Sequence, residues 1–133
     1  MACGGDRFIT LGIETSCDDT ALALLEGGRA ALGDVISSQT ADHSPFGGVV
    51  PELASRKHQE ALIPLLRALF AETGIAPADV RLIAVTAGPG LMGSLLVGVM
   101  AAKALAQAWN VPLIGVNHLE GHLYANILAH PGL

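Results

Sequence analysis

From Leu82 to Ala102 the chain runs for 21 residues without a charged side chain. That is the length of a membrane span, so this segment limits what the chain can become more than any other. The tripeptide Gly88-Pro89-Gly90 interrupts it. Proline lacks the amide hydrogen and its ring clashes with a preceding helical turn, so the run divides into a short strand and a helix too short to cross a bilayer. Both pieces are then expected to be buried in a fold. The strand reads as "RLIAVTA", Arg81 to Ala87, and the helix begins at about Leu91 and ends near Trp109.

The rest of the chain supplies partners for that pair. "RFITLGIE" (Arg7 to Glu14) and "TALALLE" (Thr20 to Glu26) read as strands joined across the polar "TSCDD", a hairpin. Gly27-Gly28 turns the chain, and Ala30 to Ser38 forms a third antiparallel strand. After the loop "TADHSPFGG" a helical pattern runs from about Pro51 to Thr73, with Leu53, Ala54, Ala61, Leu62, Leu65, Leu66, Leu69 and Phe70 on its inner face. Pro64 inside it predicts a kink or a break into two helices near Ile63. Gly74 ends the helix, and "VPLIGV" (Val111 to Val116) is a fifth strand, followed by a helix to about Leu128. The order βββαβαβα gives an α/β class with a mixed sheet, its first strands antiparallel and its later ones joined by helical crossovers. At 133 residues one core is expected.

Hydrophobic residues make up 51% and charged ones 14% of the chain. Disorder is excluded, and part of the apolar surface is expected to meet another chain or domain. Twelve acidic against seven basic residues, a net charge of -5, leave no basic footprint, so an RNA partner would need contributions from elsewhere. Cys3 and Cys17 form no metal or disulfide pattern and the start "MACGGDRFITLGIE" has no secretory signal, which points to the cytosol.

Three short motifs carry chemistry. "GPGLMG" places Gly88, Gly90 and Gly93 in the G-x-G-x-x-G spacing of dinucleotide sites. That fingerprint also needs an acidic residue at the end of the next strand, and none occurs between Arg81 and Glu120. A tight turn with a closely packed, glycine-faced helix is the favoured reading. "IETSCDDT" puts Glu14, Thr15, Ser16, Cys17, Asp18, Asp19 and Thr20 at the hairpin tip. Hydroxyls and amides there can surround a phosphate while a carboxylate positions a cation or water, or the segment is an ordinary polar turn. In "VNHLEGH", His118 and His122 stand four apart and share one helix face, which suits two ligands of one metal ion. Alternatively, one caps the helix and the other packs. Glu120 lies about 200° around the helix from His118, which removes the general base of a zincin-type peptidase. His43, His58 and His130 have surface or hydrogen-bonding roles by default, and Asp42, Glu52 and Glu60 read as solvated charges.

Together, "LGIETSCDDTALAL", "SQTADHSPFGGVVPELASRKHQEALIPLL", "AVTAGPGLMGSLLVG" and "AKALAQAWNVPLIGVNHLEGHLYANIL" resemble the family of tRNA threonylcarbamoyladenosine transferases, the TsaD group once filed as glycoprotein endopeptidases. The resemblance runs from about Ile9 to Leu128 and includes the histidine signature from Lys103 to Leu123. It implies an actin-like lobe, shared with hexokinase and the Hsp70 ATPase. It implies transfer of threonylcarbamoyl from its adenylate to the adenosine beside the anticodon of tRNAs reading ANN codons. One iron or zinc ion would be held by His118 and His122, with further ligands from a second lobe. The acidic pair needed for activity maps to Asp18 and Asp19, where the family usually has Asp-Glu, and Thr15 and Ser16 fall at the substrate.

Members are well over twice this long, and the chain stops before the family's nucleotide-contacting glycine-rich segment and the aspartate completing its metal site. Residues 1–133 are therefore expected to be the N-terminal lobe, inactive alone because a half-cleft neither excludes water nor orients the adenylate. Implied partners are tRNA, threonylcarbamoyl-adenylate, and the smaller paralogous subunit of the bacterial modification complex with its ATPase, with no membrane. Two alternatives stand beside this: a non-catalytic dimerisation module of the same complex, using the helices Pro51 to Thr73 and Leu91 to Trp109, and a metallopeptidase.

Overall fold

A computed structural model describes residues 8–16, 19–27, 30–38 and 51–117. Strand β1 (Ile9–Glu14) lies at the centre of a five-stranded sheet. It alternates Ile9, Leu11 and Ile13 on one face with Thr10, Gly12 and Glu14 on the other, the period-two pattern of a pleated strand. On one side it pairs antiparallel with β2 (Asp19–Glu26), Ile13 opposite Leu22 and Leu11 opposite Leu24. β3 (Ala30–Ser38) continues that sheet antiparallel to β2. On the other side β1 runs parallel to β4 (Val80–Gly88), Leu11 opposite Ile83, and β4 runs parallel to β5 (Leu113–Asn117). The order is β3-β2-β1-β4-β5. The mixed sheet, the antiparallel opening and the helical crossovers are as the sequence predicts.

Two helices provide those crossovers. Helix α1 (Pro51–Thr73) connects β3 to β4, and α2 (Met92–Trp109) connects β4 to β5. They pack side by side on one face of the sheet. Their ends are joined by Phe70 against Trp109, edge to face with ring centroids 6.0 Å apart, an arrangement that suits the aromatic quadrupoles. Ile9, Leu11, Leu22, Leu24, Leu69 and Ile83 are among the most deeply buried side chains between sheet and helices. Each contributes about 1.5–3 kcal/mol relative to an exposed position. At the end of α1, Gly74 takes a left-handed φ of 71° and donates its amide to the Phe70 carbonyl, closing the helix as the sequence predicts.

The sequence misreads α2, and of its two readings of α1, a kink or a break, the break does not occur. α1 is one element of 23 residues carried through Pro64, with no break near Ile63. The carbonyl that Pro64 leaves without a donor is that of Glu60, and both residues lie on the exposed face, where water can satisfy it. α2 is neither too short to cross a bilayer nor buried. Its 18 residues make it, among the described residues, the one helix long and apolar enough for a span by length and composition, and 22% of it is buried. It continues past Ala102 through Lys103 to Trp109, and it meets the sheet by a narrow stripe of Ser94, Gly98 and Ala102, each four residues apart.

That stripe sets the spacing of the helix from the sheet. A Cβ added at Gly98 would collide with the Thr15 hydroxyl, which could yield only by giving up its bond to the Ser94 carbonyl. Gly98→Ala gains about 1 kcal/mol of helix propensity but incurs an overpacking cost of about 1–3 kcal/mol. The variant is expected to lower the thermal unfolding midpoint by several degrees, measurable by circular dichroism. A midpoint equal to or above that of the parent chain would show that α2 can move off β1 freely.

Candidate functional site

One edge of the sheet collects the chemistry. Because β1, β4 and β5 are parallel, their carboxyl ends lie together, and antiparallel β2 starts at that same edge with Asp19. Ligands of open parallel sheets bind beyond such carboxyl ends.

At β1 the carboxylate of Glu14 joins two strands. Its Oε1 accepts the Ser16 amide hydrogen at 2.6 Å and its Oε2 accepts the Thr86 hydroxyl hydrogen of β4 at 2.7 Å. The sequence reads Glu14 only as a carboxylate near the tip that could serve a cation or water. Its bond to Thr86 follows from parallel pairing of β1 with β4, which no local pattern announces. Next along the chain, the Thr15 hydroxyl is fully buried and donates to the Ser94 carbonyl of α2 at 2.7 Å. What Thr15 offers a ligand is therefore its backbone. Ser16, also buried, accepts the Leu91 amide hydrogen on its own carbonyl at 2.8 Å.

That last contact places the turn "GPG". Gly90 lies flat on Ser16, where a Cβ would stand 2.5 Å from the Ser16 carbonyl oxygen and 2.7 Å from its Cβ. Gly93 faces Ser55 of α1 in the same way, its Cβ position 2.6 Å from the hydroxyl oxygen. The glycines are packed against protein, as the tight-turn reading expects. α2 starts here with no acidic residue in its first turn, so none of the helix's own side chains compensates the positive end of its dipole.

Of the residues singled out in the sequence, the structure brings Thr15, Ser16 and Asp19 to one place. Asp19 is exposed at the first position of β2, opposite Ser38. Cys17, Asp18, His43, His118, Glu120, His122 and His130 lie outside the described residues. β5 ends at Asn117, paired with Gly88 and next in sequence to His118, beside a shallow hollow lined by Ala87, Gly88, Gly115 and Val116. One strand, β4, lies between it and the β1 tip, which puts the two about 10 Å apart at the usual strand spacing. Among the described residues no group of three metal-ligating side chains converges. The donor set His118 and His122 itself fits a transition-metal ion, two neutral imidazoles four residues apart.

His58 is the polar residue whose weight the sequence underrates. It is fully buried on the inner side of α1, with Nδ1 2.6 Å from the Oγ1 of Thr20, itself fully buried in β2. Its position between Ala54 and Leu62, four residues from each on the buried stripe, is the signal that marks it as internal.

Elsewhere, α1 and α2 leave an apolar groove of about 490 Å³ on their outer side, lined in part by Ser55, Gln59, Ile63, Leu96, Val97 and Met100. Leu96 and Met100 are more than half exposed, and Met92 is 83% exposed.

Comparison with known proteins agrees with this architecture. Residues 30–133 match the family model described as TsaD, tRNA N6-adenosine threonylcarbamoyltransferase. A relative of that name from Anaeromyxobacter dehalogenans is 59% identical over 119 residues, which cover 90% of this chain and 36% of that protein. One from Pelobacter propionicus is 54% identical over 124 residues, 93% of this chain and again 36% of the relative. The chain thus spans about a third of the length of the curated relatives it matches. Among solved structures, YeaZ from Pseudomonas aeruginosa superposes with a TM-score of 0.64 at 26% identity, over 83% of this chain and 43% of that one. The architecture is that of an actin-like ATPase lobe. With a sheet of this order, the tip and glycine turn in contact, and a family model matched over most of its length, the chain belongs to the tRNA N6-adenosine threonylcarbamoyltransferase family.

Proposed function

We propose that this chain is the N-terminal lobe of a two-lobed cytoplasmic transferase that moves a threonylcarbamoyl group from its adenylate onto the exocyclic nitrogen of an adenosine beside the anticodon of tRNA. The observation that carries this reading is the gathering of Thr15, Ser16 and Asp19 with the carboxyl ends of β4 and β5 at one sheet edge. It is where a parallel sheet receives a ligand, and it is where the family's motifs fall.

In this reading the backbone of Thr15 and Ser16, held by α2, lines the adenylate subsite. The adenosine N6 attacks the carbamoyl carbon, a C–N bond forms, the bond to the phosphate oxygen breaks and AMP leaves. The carboxylates of Asp18 and Asp19 orient the attacking amine and accept its proton, general-base work that suits a carboxylate exposed at the sheet edge, as that of Asp19 is. His118 and His122 would hold one iron or zinc ion, with the remaining ligands from the second lobe, and when bound it would supply Lewis-acid charge at the acyl group. A single lobe leaves the substrate open to water, so positioning, which supplies much of an acyl transfer's acceleration, requires both halves.

The exposed outer groove of α1 and α2 supports a protein partner. A likeness to YeaZ, built on the same lobe, favours a smaller paralogue of this chain that lays its own helix pair against Leu96 and Met100. The modification complex's ATPase would join that assembly. The net charge of -5 leaves most phosphate contacts with tRNA to those partners and to the second lobe.

In the full-length protein, His118→Ala and His122→Ala are each expected to remove bound metal, read by elemental analysis, and to abolish transfer from threonylcarbamoyl-adenylate to tRNA. Full metal content and full transfer in either variant would remove the histidines from the site. Residues 1–133 alone are expected to show no transfer in the same assay. Leu96→Asp combined with Met100→Asp is expected to weaken association with the smaller subunit at least tenfold by light scattering or calorimetry, since burying an unpaired carboxylate costs several kcal/mol. Unchanged affinity would place the partner on another surface.

A further inference from the structure

The hairpin tip is held from both sides, and the proposed chemistry uses only one of the two holds. On the β1 side, Thr15 and Ser16 are fixed to α2 through the Ser94 carbonyl and the Leu91 amide. On the β2 side, one residue after Asp19, the hydroxyl of Thr20 meets Nδ1 of His58 at 2.6 Å. Both partners are completely buried, between a helix and a sheet whose neighbouring residues are Ala54, Leu62 and Leu22. A leucine and a valine would fill such a place without the cost of desolvating an imidazole and a hydroxyl. What the polar pair adds is direction: a hydrogen bond of this length fixes the distance and angle between α1 and the start of β2, which apolar packing leaves adjustable.

We propose that His58 is a positioning residue, which through its hydrogen bond to Thr20 sets where Asp19 stands at the mouth of the cleft. The hold itself depends on the geometry alone, while its consequence for turnover rests on the transferase reading. α1 thereby fixes the tip from the β2 side as α2 fixes it from the β1 side. The carboxylate of Asp19 is then placed by a side chain that never touches substrate.

The test uses the full-length enzyme with its partner subunits, in three variants. Thr20→Val keeps the volume and removes the hydroxyl. His58→Asn places an amide near where Nδ1 stood, and Thr20→Ser keeps the hydroxyl as a folding control. Thr20→Val is expected to lower kcat for transfer about tenfold with KM for tRNA unchanged, the factor that one net hydrogen bond commands. His58→Asn should retain most of kcat, and Thr20→Ser nearly all of it. Hydrogen exchange followed by mass spectrometry should show faster exchange in Thr20→Val for peptides covering residues 15–20, and parental rates for peptides of α1.

A purely structural role would instead speed exchange throughout the core and leave kcat per folded molecule unchanged, and that result overturns the proposal. So does parental exchange at the tip in Thr20→Val, or a loosened tip with parental kcat. If Thr20→Val does not fold, loss of kcat in His58→Asn equal to that in a His58→Leu variant overturns it as well. Should the parent enzyme show no transfer, the transferase reading fails, while the exchange of residues 15–20 still decides whether His58 holds the tip.

Discussion

The contact on which the rest depends is between two stretches of main chain, the amide of Leu91 and the carbonyl of Ser16, 2.8 Å apart. For that approach to occur, residue 90 has to lack a Cβ, and the helix that follows has to present Gly98 beneath Thr15. Once made, the contact leaves the end of β1 little freedom. Thr15 is tied to Ser94, Ser16 is bound through both its amide and its carbonyl, and Glu14 spans from Ser16 to Thr86 on β4. A site assembled this way is organised before any ligand arrives, and positioning groups beforehand is how an enzyme avoids ordering them at the moment of reaction.

The same close approach explains the unusual dress of α2. A helix that meets a sheet through Ser94, Gly98 and Ala102 sits low on the strands, so that Val99, Leu105 and Trp109 still reach the core while other large apolar side chains are left facing outward. Leu96 and Met100 are over half exposed for that reason, and Met92 beside them is 83% exposed. Large apolar residues on the outer face as well as the inner one depart from the pattern of a helix that only covers a core. An apolar ridge of this kind on a charge-poor chain is characteristic of an interaction surface. The demand for a tight β1 tip and the presence of a docking face are in this sense one property of α2 seen from two sides.

Much of the sheet was legible beforehand because strands bury alternate residues. The third strand has the bounds Ala30–Ser38 read after the Gly27-Gly28 turn, and the antiparallel hairpin falls on either side of the polar tip. Helices were read less well, for physical reasons. A proline need not end a helix where the carbonyl it orphans is open to solvent, and Pro64 and Glu60 both lie on the exposed face. Apolar composition signals removal from water without saying whether the cover is the chain's own core or another surface, so α2 passed for a buried helix. Within the site, Thr15, Ser16 and Asp19 could be grouped because they are adjacent in sequence. The bonds from Glu14 to Thr86 and from Thr20 to His58 could not, because each joins elements far apart in the chain.

The glycines of "GPGLMG" show how far a motif can carry. Glycine at 90 and 93 declares that some atom comes too near for a side chain, and the dinucleotide fingerprint supposes that atom to belong to a pyrophosphate. Here the neighbours are the carbonyl of Ser16 and the hydroxyl of Ser55, both from the chain itself. A phosphate cannot occupy the space that Ser16 fills, so the turn is not a cradle of the dinucleotide type even though strand, turn and helix follow in the required order. What the glycines create is a seam along which a strand end, a turn and a helix start are pressed together. In the proposed function the ligand's place is therefore beside this seam, at the edge where β1, β4 and β5 end, and not within it.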